Sequence, residues 1–370
     1  MIDEKRKILL FYASIGSGHL IAARSIAQAI AKQNPRIEVK MEDIFQKSGR
    51  LPILQELAAF IPNVLFPNLY TCVWKKGLLV WFYELLCAYS LMAISVRKHV
   101  DNFDPDLVIC THSFPCSVIS KLKEKKPGII LFAVPTDQFV HPYWPIKNVD
   151  VFIAPNQLVK KELTKRGVKS SKIFTFGIPI SVDLGIVKGD QLPDSKLKIL
   201  VLAGSYRLGP YLTIQKRVRE LIVFLSENQT KNLNWTFVFG KNRQLYNFAK
   251  KRLKNHRGVE VIGFSNKVPQ LIINSHAVAT KPGGLTVAES LALRKPLLLL
   301  SHGAGQEKAN ADFVLSAQLG FLLDNRQKII DFIKKIEENP NILKEAIKSS
   351  EVQYLDSSLR IANLAIKFIR

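Results

Sequence analysis

Acidic side chains are the scarce ones in this chain: 30 Asp and Glu stand against 53 Lys and Arg, a formal net charge of +23. Such an imbalance asks for an anionic partner, whether nucleic acid, an anionic membrane surface or an anionic substrate. Nucleic-acid modules carry recognisable motifs, and the sequence has no zinc finger, no RRM signature and no basic helix followed by heptads. No nucleic-acid partner is therefore expected. Cysteine is scarce too. Cys72, Cys87, Cys110 and Cys116 form no CxxC and no zinc spacing, so no metal site is expected and they read as small core residues in a reducing compartment. Gly/Ser-rich and Gln/Asn-rich tracts are missing, as is any internal repeat at a solenoid period.

Long unbroken apolar runs are also lacking. Gly77 to Ser95 approaches transmembrane length, but Glu84 sits near its middle, where a carboxylate is costly in hydrocarbon. A packed core helix and a helix lying in the membrane interface are both favoured over a span. The wider stretch 51–96 is crowded with apolar and aromatic residues, Trp74, Trp81 and Phe82 among them. Pro52, Pro62 and Pro67 interrupt it, and Lys75-Lys76 and Arg97-Lys98 flank it. At the N-terminus, Lys5-Arg6-Lys7 and the apolar run after it imitate a signal peptide. The run is short and leads into a glycine loop, so a first buried strand and a cytoplasmic-facing protein are the expectation.

What is present is a repeated alternation of strand and helix. With 370 residues, 47% of them hydrophobic, the chain has room for two cores. The spacing predicts a strand at Lys7–Ala13, a helix from about His19 to Ala31, and a strand at Ile37–Met41 ending in Glu42-Asp43. Further strands are predicted at Leu107–Thr111, Ile129–Val134, Asp150–Ala154 and Ile173–Phe176. Ile178 to Lys196 reads as a linker. The pattern restarts with strands at Leu197–Leu202, Trp235–Phe239, Val259–Ile262 and Ala277–Thr280. Two doubly wound α/β halves would set their strand C-termini, and so their loops, across a shared cleft.

The densest motif runs from Lys281 to Asn310. Pro282, Gly283 and Gly284 break an apolar strand, and after Leu285 the run Thr286-Val287-Ala288-Glu289 opens a helix. Pro296 to Leu300 reads as a buried strand, and Gln306, Glu307 and Asn310 follow on a second helix start. Free amides at the first helix entrance suit a nucleotide diphosphate, with its sugar facing the last three residues. A competing reading makes Thr286-x-x-Glu289 a capping box and the Pro-Gly-Gly a plain turn.

Other strand-end loops carry weaker signals. Gly16-x-Gly18-His19 first suggests a dinucleotide loop, with Glu42-Asp43 as ribose partner, but Ile21 fills the third fingerprint position. His19 at a helix N-terminus would have a lowered pKa and serve as a base; it would equally serve as a polar helix start. Asp137 after Thr136 reads either as a catalytic carboxylate or as a turn residue. His112, and His141 ahead of the aromatic loop to Trp144, read as site residues or as polar surface. Gly204-Ser205 and Gly240-Lys241-Asn242 could meet phosphate. Gly263-Phe264 could read a nucleobase, though Phe264 reads equally well as core.

Taken as an ordered series, these residues resemble the glycosyltransferases that build glycosyldiacylglycerols: bacterial processive diacylglycerol glucosyltransferases and plant monogalactosyldiacylglycerol synthases. The series is Gly16-x-Gly18-His19, Thr136-Asp137…His141…Trp144, Gly177-Ile178-Pro179, Gly240-Lys241-Asn242, Thr280-Lys281-Pro282-Gly283-Gly284…Glu289 and Gly305-Gln306-Glu307…Asn310. More distantly the chain is similar to the N-acetylglucosamine transferase that forms lipid II. The resemblance implies a GT-B fold: a Rossmann-like acceptor and membrane domain (1–180), a Rossmann-like UDP-sugar domain (197–349), and a last helix (350–370) returning to the first.

It also implies inverting transfer of a hexose from a UDP-sugar to a membrane lipid, diacylglycerol foremost, with no cofactor or metal for the diphosphate. The enzyme would sit peripherally on the cytoplasmic face of an anionic membrane. His19 would be the base and Asp137 the rival base or orienting carboxylate. Glu289 would hold the ribose, and Gln306, Glu307 and Asn310 the sugar and diphosphate. Trp74, Trp81, Phe82, His112, His141 and Trp144 would serve the acceptor and membrane side. Two departures stand out: Gly204-Ser205-Tyr206-Arg207-Leu208-Gly209 replaces the family's Gly-Ala-x-Gly, and Ala304 replaces a proline. Three alternatives remain: a UDP-N-acetylglucosamine transferase acting on a polyprenyl-linked cell-wall precursor, an NAD-dependent oxidoreductase, and a non-catalytic basic membrane- or nucleic-acid-binding protein.

Overall fold

The computed structural model describes residues 5–14, 18–45, 67–77, 79–185, 196–204, 211–346 and 355–370, without the side chains of 67–70, 74, 183, 185, 211 and 212. Gly16, Pro52, Pro62, the side chain of Trp74, Ser205 to Gly209, most of the expected linker and the start of the expected last helix therefore lie outside the described residues.

The chain divides into two compact units. In the first, the elements are β1 (Lys7–Tyr12), α1 (Gly18–Gln33), β2 (Glu38–Asp43), α2 (Pro67–Lys76), α3 (Val80–Tyr89), α4 (Leu91–Phe103), β3 (Leu107–Cys110), α5 (Ser113–Leu122), β4 (Ile130–Ala133), β5 (Val151–Ala154), α6 (Gln157–Lys165) and β6 (Ile173–Thr175). Every strand pairing is parallel, in the order β2-β1-β3-β4-β5-β6. Inner strands such as β3 (LVIC) and β5 (VFIA) are buried at every position, because helices cover both faces of a parallel sheet.

The second unit holds β7 (Leu197–Leu202), α7 (Tyr211–Glu227), β8 (Leu233–Val238), α8 (Arg243–Arg252), β9 (Val259–Ile262), α9 (Val268–Ile273), β10 (Ala277–Thr280), α10 (Gly284–Ala292), β11 (Leu297–Leu299), α11 (Gln306–Ser316), β12 (Gly320–Leu322), α12 (Arg326–Glu338) and α13 (Asn341–Glu345). Its sheet is again all parallel, in the order β12-β11-β10-β7-β8-β9. The last helix, α14 (Ser357–Phe368), belongs to the first unit. Its buried face of Ile361, Ala362, Ala365 and Ile366 joins Ile26 and Ile30 of α1 in one core.

Two sequence expectations are corrected here. The stretch expected to be linker begins as core: Ile178 and Ile180 are fully buried, and their carbonyls accept bonds from Ser357 Oγ (3.0 Å) and Ser358 Oγ (2.6 Å). The near-transmembrane run is not one helix. α3 and α4 meet at a 53° bend, and among the described residues no single helix is long and apolar enough to cross a membrane. Ser90 sets the break, in extended backbone (φ −68°, ψ 157°), with its Oγ accepting from Ala93 N at 3.2 Å as the N-cap of α4. Arg97 then reaches back to the carbonyls of Cys87 and Ala88, which α3 leaves open at its C-terminus. The outer face of the bend stays bare: Trp81, Tyr89 and Leu91 are 68%, 77% and 74% exposed.

Candidate active site

Open parallel sheets bind ligands beyond the strand C-termini, where neighbouring strands send their chains to opposite sides. In the first unit that point lies between β1 and β3, and the residues that follow these strands meet there. His19 stands in the first turn of α1, after β1. His112 caps α5, after β3. Thr136 and Asp137 follow β4.

The ring of His19 is fixed by what it touches. Its Nδ1 lies 2.8 Å from the carbonyl oxygen of Thr111 and 3.0 Å from Thr136 Oγ1. A carbonyl only accepts, so Nδ1 carries the proton and Nε2 carries the lone pair. Thr111 is itself held, with its hydroxyl donating to the carbonyls of His19 (3.1 Å) and Phe11 (3.3 Å). Burial lowers the pKa of His19 below 6.5. The negative charge of Asp137 and the Thr111 carbonyl oppose that shift. The direction matches the sequence expectation, but its leading cause is burial. The product is a neutral imidazole near pH 7 with a free base nitrogen and a carboxylate close enough to stabilise its cation.

His112 meets His19 edge to face, with ring centroids 5.0 Å apart. Its Nδ1 accepts from the backbone N–H of Phe114 at 3.1 Å, the N-cap bond of α5. Burial, reinforced by His19 and His141, drives its pKa well below 6.5. His141 is pushed down to about 3 by burial, Arg166 and His19. Arg166 ties that loop together, donating to the carbonyls of His141 (3.2 Å), Pro142 (3.3 Å) and Trp144 (3.1 Å). Trp144, expected on the acceptor or membrane side, is a core residue at 3% exposure. Tyr83 of α3 is linked to Ser113 at the start of α5 by a 2.8 Å hydroxyl–hydroxyl bond, so the bare helix and the histidine cluster share one scaffold.

In the second unit the switch point lies between β7 and β10, and the Lys281–Asn310 motif begins at the end of β10. α10 has Gly283 as N-cap, with no side-chain cap, and its first helical bond runs from Val287 N to Gly283 O. Among the described residues the amides of Gly284, Leu285 and Thr286 have no partner, and they sit at the positive end of a nine-residue helix. This overturns the capping-box reading: the N-cap is Gly283, three residues before Thr286, which leaves Glu289 in the second turn. There Glu289 is buried, its carboxyl forms no hydrogen bond among the described residues, and burial pushes its pKa up to about 7.

The loop after β10 and the start of α11 are braced to each other. Lys281 pairs with Glu307, and Asn310, fully buried, donates from Nδ2 to the carbonyl of Pro282 at 3.0 Å. Gln306 is exposed and Glu307 half-buried at the start of α11. Gly303 makes that approach possible. At φ +67°, a Cβ there would fall 2.5 Å from Glu307 Cβ.

Phe264 is 70% exposed, so the core reading fails and the ring stands free beside Gly263. Asn242 is buried as the N-cap of α8, its Oδ1 accepting from Leu245 N at 3.1 Å. Gly204 ends the β7 segment at φ +80°. Gly18 opens α1.

The dinucleotide reading loses its ribose partner. Glu42 is engaged by His99 (3.0 Å) and Lys40 (2.9 Å), while Asp43 accepts from the backbone of Ser14 and Phe45. Sequence reasoning missed Thr111 and Lys281 as organising residues. Both lie inside motifs it quoted, but their partners are 92 and 26 residues away.

Comparison with known proteins points the same way. Residues 19–180 match the family model for monogalactosyldiacylglycerol (MGDG) synthase. The chain is 25% identical to the processive diacylglycerol beta-glucosyltransferase of Staphylococcus carnosus, over 96% of this chain and 91% of that protein. It is 24% identical to the enzyme of the same name from Bacillus subtilis, over 97% and 94%. Among solved structures, Acinetobacter baumannii MurG superposes with a TM-score of 0.64 at 14% identity, covering 98% of this chain and 99% of that one. The chain is a glycosyltransferase of GT-B architecture, related to the diacylglycerol glycosyltransferases and monogalactosyldiacylglycerol synthases.

Proposed function

We propose that the protein moves a hexose from a UDP-sugar to a hydroxyl of diacylglycerol, with inversion, while lying peripherally on an anionic membrane at its cytoplasmic face. The observation that carries this reading is the tautomer of His19, which leaves a base lone pair at the switch point of the first sheet. Both relatives named above are, by name, diacylglycerol beta-glucosyltransferases.

In the proposed reaction the acceptor oxygen attacks C1 of the sugar from the face opposite the phosphate. Its proton passes to His19 Nε2, and the electron pair of the breaking C1–O bond goes to the UDP diphosphate. The uncapped amides of Gly284, Leu285 and Thr286 would hold that diphosphate charge without a divalent ion. Glu289 would accept from the ribose hydroxyls and Phe264 would stack on the base. Gln306 and Glu307 would contact the sugar. Asn310, spent on Pro282, would act by holding the Pro282–Gly284 turn in place.

The bare face of α3 and α4 supports the membrane part of the reading. Trp81, Phe82, Leu85, Tyr89, Leu91 and Ile94 are exposed, and in sequence the exposed basic residues Lys76 and Lys98 flank them. Changing Trp81, Tyr89 and Leu91 together to serine is expected to weaken binding to phosphatidylglycerol-containing vesicles by roughly 10³-fold, since each large side chain contributes about 1.5 kcal/mol when buried. Co-sedimentation measures it, and unchanged binding would remove this face from the membrane.

The test of the whole reading is direct. Purified protein is given a panel of UDP-sugars with vesicles containing diacylglycerol, and products are read by mass spectrometry. A glycosyldiacylglycerol supports the proposal and identifies the sugar. A product formed only on a polyprenyl-linked acceptor would sink the diacylglycerol assignment.

A further inference from the structure

The two imidazoles at the switch point are both neutral, and their tautomers are locked in opposite senses. Thr111 O fixes His19 as Nδ1–H, with an Nε2 lone pair. The N–H of Phe114 fixes His112 with Nδ1 as acceptor, so its proton is on Nε2. Among the described residues neither Nε2 has a hydrogen-bond partner, and neither is a buried orphan, so both reach solvent. The rings meet edge to face with centroids 5.0 Å apart, so the free acceptor and the free donor belong to neighbouring rings.

We propose that His19 and His112 form a two-point clamp for the acceptor hydroxyl: His112 Nε2–H donates to the hydroxyl oxygen while that hydroxyl donates to His19 Nε2. The proposal rests on the transfer reading above and assigns His112 a function beyond capping α5. Such a clamp fits an alcohol by its electron count. An alcohol oxygen has one proton for His19 and two lone pairs, one to accept from His112 and one to attack C1 of the sugar. As the new C–O bond forms, the hydroxyl proton goes to His19 and the leaving electron pair goes to the diphosphate. The His112 proton stays where it is. An amine nitrogen has a single lone pair, which attack consumes, so it cannot keep the His112 bond through the step. The clamp therefore selects oxygen acceptors over nitrogen acceptors. Its catalytic value is orientation, because a hydroxyl held at two points presents one lone pair in one direction.

The experiment separates the clamp from the cap. In His112→Asp a carboxylate oxygen still caps α5 but offers no N–H; in His112→Asn the side chain keeps both a cap oxygen and an N–H. Full-length protein is assayed with a UDP-sugar and diacylglycerol vesicles. In His112→Asp the acceptor KM is expected to rise about tenfold or more, the cost of one lost hydrogen bond. UDP affinity and thermal stability are expected to stay as in the wild type, and His112→Asn to recover part of the loss. Nitrogen-15 NMR of the wild type should show His19 protonated on Nδ1 and His112 on Nε2. The proposal is overturned if the wild type transfers sugar normally while His112→Asp keeps its acceptor KM, or if either tautomer is reversed. No transfer by the wild type to any alcohol overturns the transfer reading and the clamp together.

Discussion

Replacing His19 by alanine should cut turnover by about 10³-fold, within the range that a positioned general base supplies, while UDP binding stays within about twofold. The split follows from the architecture. His19 belongs to the first unit, whereas the proposed diphosphate contacts are backbone amides of α10 in the second. Isothermal titration with UDP and a turnover assay on the same preparation would check it. Loss of both together would make His19 structural.

The rival base is tested in the same series. The charge of Asp137 holds the pKa of His19 up against burial, so Asp137→Asn should leave a neutral base over a wider range and move the acid limb of kcat/KM to lower pH. A collapse of activity at all pH, equal to that of His19→Ala, would instead make Asp137 the base. For the wild type the sign is fixed by the lowered pKa of His19. Activity should persist below pH 6.5, where an unperturbed histidine would already be protonated.

Glu289→Gln should have the second large effect, and in two opposite directions. Folding raises the carboxyl from its ordinary 4.5 to about 7, through burial. The stability it contributes is full below pH 4.5, declines as pH rises between these values, and is lost above about 7, where the buried group must ionise. At 1.36 kcal/mol per unit, the loss by pH 8 is of order 3 kcal/mol. Glutamine has no such titration, so the variant should melt higher than the wild type at pH 8 and not at pH 4.5.

Donor binding should move the other way. In the proposed site ribose hydroxyls would donate to the carboxylate, so wild-type UDP affinity should rise with pH through about 7 and then level off. The glutamine variant should show a flat profile and bind roughly 10-fold more weakly at pH 8, the scale of hydrogen bonds to a charged group. Equal UDP affinities at pH 8 would show that this carboxyl does not touch the donor. In the proposed site the donor would supply the partners that this buried acid lacks.

The fold class was legible because each strand carries its own signal. LVIC, VFIA and AVAT are short apolar runs closed by polar or glycine loops, and only a covered parallel sheet buries all of their side chains. β12 (GFL) was missed, since three residues carry no period. The site was legible as a set of strand-end positions: His19, His112, Asp137 and the Lys281–Asn310 motif all follow sheet strands. Its roles were less so. Asn310 is buried and bonded to Pro282, Trp144 is packed in the core, and neither placement could be read from the sequence. Phe264 was balanced between core packing and a nucleobase contact and stands in solvent.

Sequence alone determined that this chain makes two parallel α/β units with glycine-rich loops after their strands. Glycine turns, helix starts and apolar runs are local events, governed by neighbours within a few residues. Tertiary structure decided what the side chains at those loops are. His19 keeps its lone pair on Nε2 because a carbonyl 92 residues away holds its other nitrogen. His112 is a donor because an N–H two residues on occupies its Nδ1. Glu289 is half-protonated near pH 7 because the fold buries it unpaired. A protonation state is set by whatever lies within about 3 Å of an atom or keeps water from it, and at these positions the folded chain sets both.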